Sequence, residues 1–203
     1  MMPVRRLGVL LLAAVILPAA AQERGDSGER CSLMEGTKRR LLALDYQAFD
    51  QQPQGGWRGL FEAGCPYAAA DIVDAYIERH PERAADYPVL HFRAGQLRAF
   101  VGEGEAAVSH MQRAIAAHAR GARVYGAHWE TYVGATIAFL ERDEPGLRRL
   151  YGRLRGRIDG PPGAPPRFDR SQAGDAEHIR IVRGLIACFD QSYREAYSNC
   201  RDR

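Results

Sequence analysis

The side chains of this chain that are best suited to chemistry are arginine, glutamine, histidine and aromatic residues at helical spacing. Arg93 and Gln96 lie about one helical turn apart, and Trp57 directly precedes Arg58. A guanidinium or amide group beside an aromatic ring can hold a peptide backbone or a carboxylate through directional hydrogen bonds. The sequence therefore predicts a binding surface that consists of Trp57, Arg58, His91, Arg93, Gln96, His128 and Tyr132.

A second interpretation of the same region is pure packing. Under it, Phe92 and Phe100 belong to the core, Arg93 and Arg98 are solvated, and Trp57 is a packing residue. His110 and His118 are expected on the solvent-facing or end side of one helix, whereas His91 and His128 lie near helix starts, from where either can face a groove.

The sequence contains no known catalytic signature. It lacks the HExxH helix of zinc proteases, the GxSxG hydrolase elbow, the phosphate-binding loop and the dinucleotide glycine motif. We therefore expect a protein that is not an enzyme and that holds no metal and no cofactor. The alternative is that the protein is an enzyme, a small envelope hydrolase that acts on peptide or glycan, with His91, Arg93 and His128 around a cleft.

The four cysteines indicate an oxidising compartment. Cys31, Cys65, Cys188 and Cys200 contain no CxxC pair, which structural zinc sites normally use, so we predict two disulfides. Four cysteines allow three pairings, and sequence alone does not choose among them. Stacked helical hairpins favour Cys31–Cys65 and Cys188–Cys200.

The first 21 residues have the features of a secretory signal peptide. Arg5 and Arg6 precede an apolar stretch and a small-residue cleavage site, and residues 22–40 follow as a polar leader. Cleavage would remove the positive charges of Arg5 and Arg6 and so lower the formal net charge of +3 to nearly zero. A nearly neutral chain gives no argument for nucleic acid as a partner. We expect a periplasmic or secreted protein without stable membrane insertion.

The rest of the chain, residues 41–203, is predicted as one all-helical domain. Apolar residues recur at helical spacing in segments that we place at 68–80, 89–101, 105–118 and 129–140. Proline and glycine interrupt the pattern in a loop at 156–174, and no strand-like alternation occurs.

A short pattern recurs three times and predicts stacked helical hairpins. Gly95, Gly134 and Gly184 are each followed four residues later by a small residue, next by phenylalanine, and twelve residues later by another small residue. Copies spaced tens of residues apart are typical of units that cannot bury their apolar face alone.

With these residues the chain resembles a divergent tetratricopeptide-repeat or Sel1-like protein, over about Gln54 to Tyr197. Gly95, Gly102, Ala107, Met111 and Ala114 match that family's unit best, although the units here run to 38–39 residues against about 34. The resemblance implies antiparallel helical hairpins stacked as a short right-handed solenoid, whose first helices line a concave binding groove. It also implies an exported protein- or peptide-binding module that acts as a scaffold or accessory factor in the cell envelope. A self-associating structural array is a further alternative.

Overall fold

The computed structural model describes residues 31–121, 128–158 and 170–201, and in these ranges the chain is helical without β-strands. The all-α fold class is therefore confirmed for this part of the chain. In chain order the elements are α1 (Glu35–Leu42), a π-helical segment (Gln47–Gln51), α2 (Gly56–Glu62), α3 (Pro66–Arg79), α4 (Pro81–Asp86), α5 (Val89–Phe100), α6 (Gly104–Ala119), α7 (Trp129–Leu140), α8 (Glu144–Ile158), α9 (Arg170–Ala187) and α10 (Tyr193–Asn199).

Several boundaries differ from those predicted. Helical structure begins at Glu35, inside the predicted leader, and α8 and α9 extend into both ends of the loop predicted at 156–174. Helix α3 ends at Arg79, within one residue of the predicted end at 80, and Pro81 begins α4, because its fixed φ suits the first position of a helix. The predicted signal peptide at 1–21 and the centre of the Pro/Gly-rich loop lie outside the described residues.

Consecutive helices form packed pairs that are joined by short turns. Helix α2 packs on α3, α5 on α6, and α7 on α8, while α3 packs on α5 and α6 on α7, so each pair rests on the previous one. The short helix α10 packs on α9 and also returns to α5. One continuous hydrophobic core, from Tyr46 to Cys200, connects these pairs. The solenoid form and its handedness stay predictions.

The three copies of the glycine pattern occupy corresponding places. A Cβ atom built on Gly95 would lie 2.7 Å from Met111 Cγ of the paired helix, and one built on Gly134 would lie 3.7 Å from Leu150 Cδ1. A Cβ atom on Gly184 would meet the backbone after α10 at 2.9 Å. The small residues twelve positions later are all buried: Ala107, Gly146 and Ala196. The pattern therefore marks helix contacts within each pair.

Two disulfides connect the first and last parts of the described chain to the rest of the domain. Cys31 is bonded to Cys65, immediately before α3, and Cys188 to Cys200, so the second bridge encloses α10. This is the pairing that stacked hairpins favour. None of the described helices is long and apolar enough to span a bilayer.

Candidate functional site

The candidate site is built on a buried carboxylate. The π-helical segment places Asp50 in the interior with a fully buried side chain. Its Oδ1 accepts a hydrogen bond from Trp57 Nε1 at 2.9 Å, and its Oδ2 accepts one from Gln51 Nε2 at 2.5 Å. These bonds offset the cost of desolvating the ionised group.

Two guanidinium groups converge on this single carboxylate. Arg58, on α2, donates from Nε to the Asp50 carbonyl oxygen at 2.7 Å, and its Nη2 lies 4.0 Å from Asp50 Oδ1. Arg93, on α5, has its Nε 3.8 Å from the same Oδ1. Burial and the positive charge of Arg93 lower the pKa of Arg58. The cluster therefore sets two guanidinium groups against one buried carboxylate, with the exposed Glu62 as a weaker negative influence on Arg58.

The two arginines lie at the edge of a small cavity of about 180 Å³, which we call the Arg58–Arg93 pocket. Its walls are largely aromatic, and its lining residues are Trp57, Arg58, Phe61, Arg93, Gln96, Leu97, Phe100, Tyr193 and Tyr197. The last two belong to α10, which thus forms one side of the pocket. The Arg58 guanidinium lies 4.4 Å from the Trp57 ring, within cation–π range.

The glutamine of the pocket links it to a buried tyrosine. Gln96 accepts a hydrogen bond from Arg93 Nη1 at 2.8 Å, and its Nε2 lies 3.5 Å from the Tyr132 hydroxyl. Burial raises the pKa of Tyr132 well above its usual value and also raises that of Tyr193, so both hydroxyls are neutral. The Tyr132 ring stacks on His178, with centroids 4.1 Å apart. The stacked rings of Tyr132 and His178 therefore lie beneath the pocket.

The structure brings together four of the seven predicted surface residues: Trp57, Arg58, Arg93 and Gln96. Trp57 is 6% exposed and Tyr132 2% exposed, so both are packing residues and Tyr132 lies beneath the pocket. His128 is the half-buried N-cap residue of α7 and does not line the pocket.

His91 is on the wrong side of α5 for the predicted surface. Its ring lies against His110 of α6, with Nδ1 atoms 3.2 Å apart, whereas Arg93 faces Asp50. Positions two residues apart on an α-helix point in nearly opposite directions. The cleft that the hydrolase alternative required, with His91 beside Arg93, is therefore not formed.

Two further expectations about this region are wrong. Arg98 is not solvated, because its side chain is 14% exposed and bonds Asp74 at 2.5 Å and Glu103 at 2.8 Å. His110, in the middle of α6, is likewise half-buried rather than solvent-facing and lies against Asp74, whereas His118 is at the end of α6, as expected, and lies against Glu130. Phe92 is a core residue, as the packing interpretation predicted.

Sequence reasoning missed Asp50 and the two tyrosines of α10 as parts of the site. Asp50 carries no motif, and Tyr193 and Tyr197 are far along the chain from Phe100, on which both rings pack edge to face. Within the described residues, no group of three or more His, Cys, Asp or Glu side chains is arranged to hold a metal ion. Comparisons with protein-family models, with curated proteins and with solved structures found no match to this chain.

Proposed function

We propose that this protein is an exported binding module of the cell envelope, which holds a protein or peptide partner at the Arg58–Arg93 pocket and acts as a scaffold or accessory factor. The observation that carries the proposal is the excess positive charge of Arg58 and Arg93 over Asp50, at the edge of an aromatic-lined cavity. A carboxylate of the partner would balance this charge.

The hydrogen-bond donors support a carboxylate ligand. In the described part of the chain, Arg58 donates only through Nε and Arg93 only through Nη1, and the Nε of Arg93 is buried, so the Nη groups of Arg58 and the Nη2 of Arg93 remain available. Guanidinium groups bind carboxylates through paired, charge-assisted hydrogen bonds. The cavity is smaller than the roughly 300–1,000 Å³ typical of sites that enclose a whole small molecule. It suits one terminal residue of a longer chain, with its side chain between the aromatic walls.

Two features support the envelope location. Disulfides persist in oxidising compartments, and the two bridges here use all four cysteines. The basic, apolar and small-residue pattern of residues 1–21 is that of a secretory signal.

The test compares two peptides of identical sequence, an acetylated hexapeptide that ends in phenylalanine with either a free or an amidated C-terminus. Because a hydrogen bond to a charged group contributes about 1.5–3 kcal/mol, we expect the free acid to bind about 10- to 100-fold more tightly by calorimetry. The double variant Arg58→Gln/Arg93→Gln should lose this preference. Arg153→Gln, an exposed arginine of α8, is the matched control and should keep it.

Equal affinity for acid and amide would refute carboxylate recognition while leaving a peptide-binding module possible. If neither peptide shows saturable binding, the pocket is not the binding site. If the free-acid peptide does bind, affinity capture from an envelope extract with that peptide as competitor identifies the natural partner.

A further inference from the structure

A chain of three titratable side chains crosses the domain on the side of α5 opposite the pocket. Asp74 of α3 lies 3.2 Å from His110 Nε2, and His110 Nδ1 lies 3.2 Å from His91 Nδ1. Arg98 fixes the carboxylate, with its Nε 2.9 Å and its Nη2 2.5 Å from Asp74 Oδ2. These contacts and the His110 side chain outweigh burial and lower the pKa of Asp74, which is therefore ionised.

The geometry indicates which nitrogen carries each proton. The two rings are 5.5 Å apart at their centroids, close to the greatest separation that a 3.2 Å contact between ring nitrogens allows. The contact is therefore head-on, which suits a shared proton rather than a metal ion between two converging lone pairs. The 3.2 Å approach of His110 Nε2 to the ionised Asp74 favours a proton on that nitrogen, which leaves His110 Nδ1 to accept the Nδ1–H of His91. The Nε2 of His91 is then left with a lone pair.

His91 lies in a cleft of about 420 Å³ between α4 and α6. Alanines form much of its walls, and the only charged side chains that line it are the exposed Arg113, on α6, and the exposed Arg120, which directly follows α6. Neither arginine has a hydrogen bond or ion pair with the described residues. The Nε2 of His91 makes no hydrogen bond in the described chain and is not a sealed, buried atom. The cleft thus presents two unpaired cations and one unoccupied acceptor.

The charges around His91 keep it neutral at ordinary pH. Burial, followed by the positive charges of His110 and Arg113, lowers the pKa of His91 to about 4, and only Asp74 acts in the opposite direction. Helix α4 contributes Pro81, Ala84 and Ala85 to the cleft and no charge. An anion beside Arg113 would offset the repulsion between that guanidinium and a protonated His91, which is one of the causes that lower the pKa of His91.

We propose that this cleft binds a tetrahedral oxyanion, such as the phosphate group of a small ligand, and that the bound anion is held by Arg113, Arg120 and a proton taken up at His91. The proton comes from solvent and adds to His91 Nε2, which changes that atom from acceptor to donor. A tetrahedral oxyanion offers enough acceptor oxygens for all three donors, whereas a carboxylate offers two.

Proton uptake makes the expected affinity depend on pH. If the bound anion restores the pKa of His91 from about 4 to the ordinary value of 6.5, linkage predicts about tenfold tighter binding at about pH 5.5 than at about pH 7.5. A site made only of arginines would show no such change, because guanidinium groups stay charged throughout this range.

The test titrates the full oxidised protein with inorganic sulfate, whose charge is constant over this range, at fixed ionic strength set with sodium chloride. Binding is followed by the NMR signals of the histidine rings. We expect saturable binding at the lower pH, about tenfold tighter than at the higher one. His91→Gln should bind equally at both pH values, and Arg113→Gln/Arg120→Gln should lose binding, while Arg153→Gln behaves as the parent protein.

Two results would overturn the proposal. One is sulfate affinity that is the same at both pH values in the parent protein. The other is the absence of saturable binding, or of any shift in the His91 signals, at about pH 5.5. After a positive result, two further titrations distinguish a soluble phosphate ligand from a lipid headgroup. One uses inorganic phosphate, and the other uses vesicles that contain phosphatidic acid. Neither arm involves the Arg58–Arg93 pocket, so the peptide proposal stands or fails separately.

Discussion

Alanine substitution at two glycines of the repeated pattern should change stability in opposite directions. Gly95 and Gly134 lie at corresponding positions of α5 and α7. A Cβ atom on Gly95 would lie 2.7 Å from Met111 Cγ and 2.9 Å from the Ala107 carbonyl oxygen, whereas the nearest atom to one on Gly134 is 3.7 Å away. The Cβ atom on Gly95 would therefore clash with a backbone atom, whereas the Cβ atom on Gly134 would make ordinary van der Waals contact.

The magnitudes follow from two opposing terms. Replacing glycine by alanine in a helix interior favours folding by about 1 kcal/mol. Overpacking a tight contact costs about 1–3 kcal/mol. Gly134→Ala has only the first term, so it should stabilise the protein by about 0.5–1 kcal/mol. Gly95→Ala has both, and because Ala107 O belongs to the backbone and cannot move without shifting α6, we expect a net loss of about 1–2 kcal/mol.

Urea unfolding of the disulfide-intact protein, followed by circular dichroism, measures both changes. In a domain of this size 1 kcal/mol corresponds to about 2–4 °C in Tm, so thermal unfolding provides a second readout. Gly184→Ala, which would meet the backbone of Cys200 and Arg201 at 2.9 Å, should behave like Gly95→Ala. The reasoning is refuted if Gly95→Ala is as stable as the parent protein or if both substitutions shift stability in the same direction.

Two further substitutions test the site and the second bridge. Asp50→Asn removes the carboxylate shared by two arginines, so it should lower the free energy of unfolding, measured in urea, by about 2–3 kcal/mol. This loss is smaller than that expected for a fully buried ion pair because each arginine side chain is 28% exposed. Unchanged stability would show that the charges do not interact. Cys188→Ser/Cys200→Ser opens a loop with a sequence separation of 12, which should cost about 3 kcal/mol and raise amide hydrogen exchange first in α10. Uniformly raised exchange would contradict a local role for the bridge.

The helices themselves could be predicted because their apolar spacing is strong. The predicted segment 68–80 contains Ile72, Val73, Tyr76 and Ile77 at helical spacing, and all four are buried in α3. Helix α7 begins and ends at the predicted residues. The glycine pattern also located helix contacts, because glycine and alanine permit close approach of backbones. In both cases the information is local, within one helix or one pair.

The site could be predicted only in part because its remaining contributors are distant in sequence. Arg194 donates to the carbonyl oxygen of Phe100 at 3.1 Å across 94 residues, and no spacing rule anticipates that α10 returns to α5. The burial of Asp50 depends on the π-helical segment, which has no sequence signature here. By contrast, helix geometry alone places His91 and Arg93 on nearly opposite sides of α5, so the prediction that grouped them on one surface was wrong.

The position of α10 narrows what the pocket can accept. In a stack of helical pairs with an open groove, a partner could lie along several first helices, but here Tyr193 packs edge to face on both Phe100 of α5 and Phe139 of α7. Helix α10 has seven residues, too few for stability on its own, so tertiary contacts and the Cys188–Cys200 bridge must hold it there. A wall fixed in advance lowers the ordering cost of binding. It also places Tyr193 and Tyr197 on one side of the pocket, across the direction in which a partner would run along α5, which favours recognition of a chain end over that of a continuous segment.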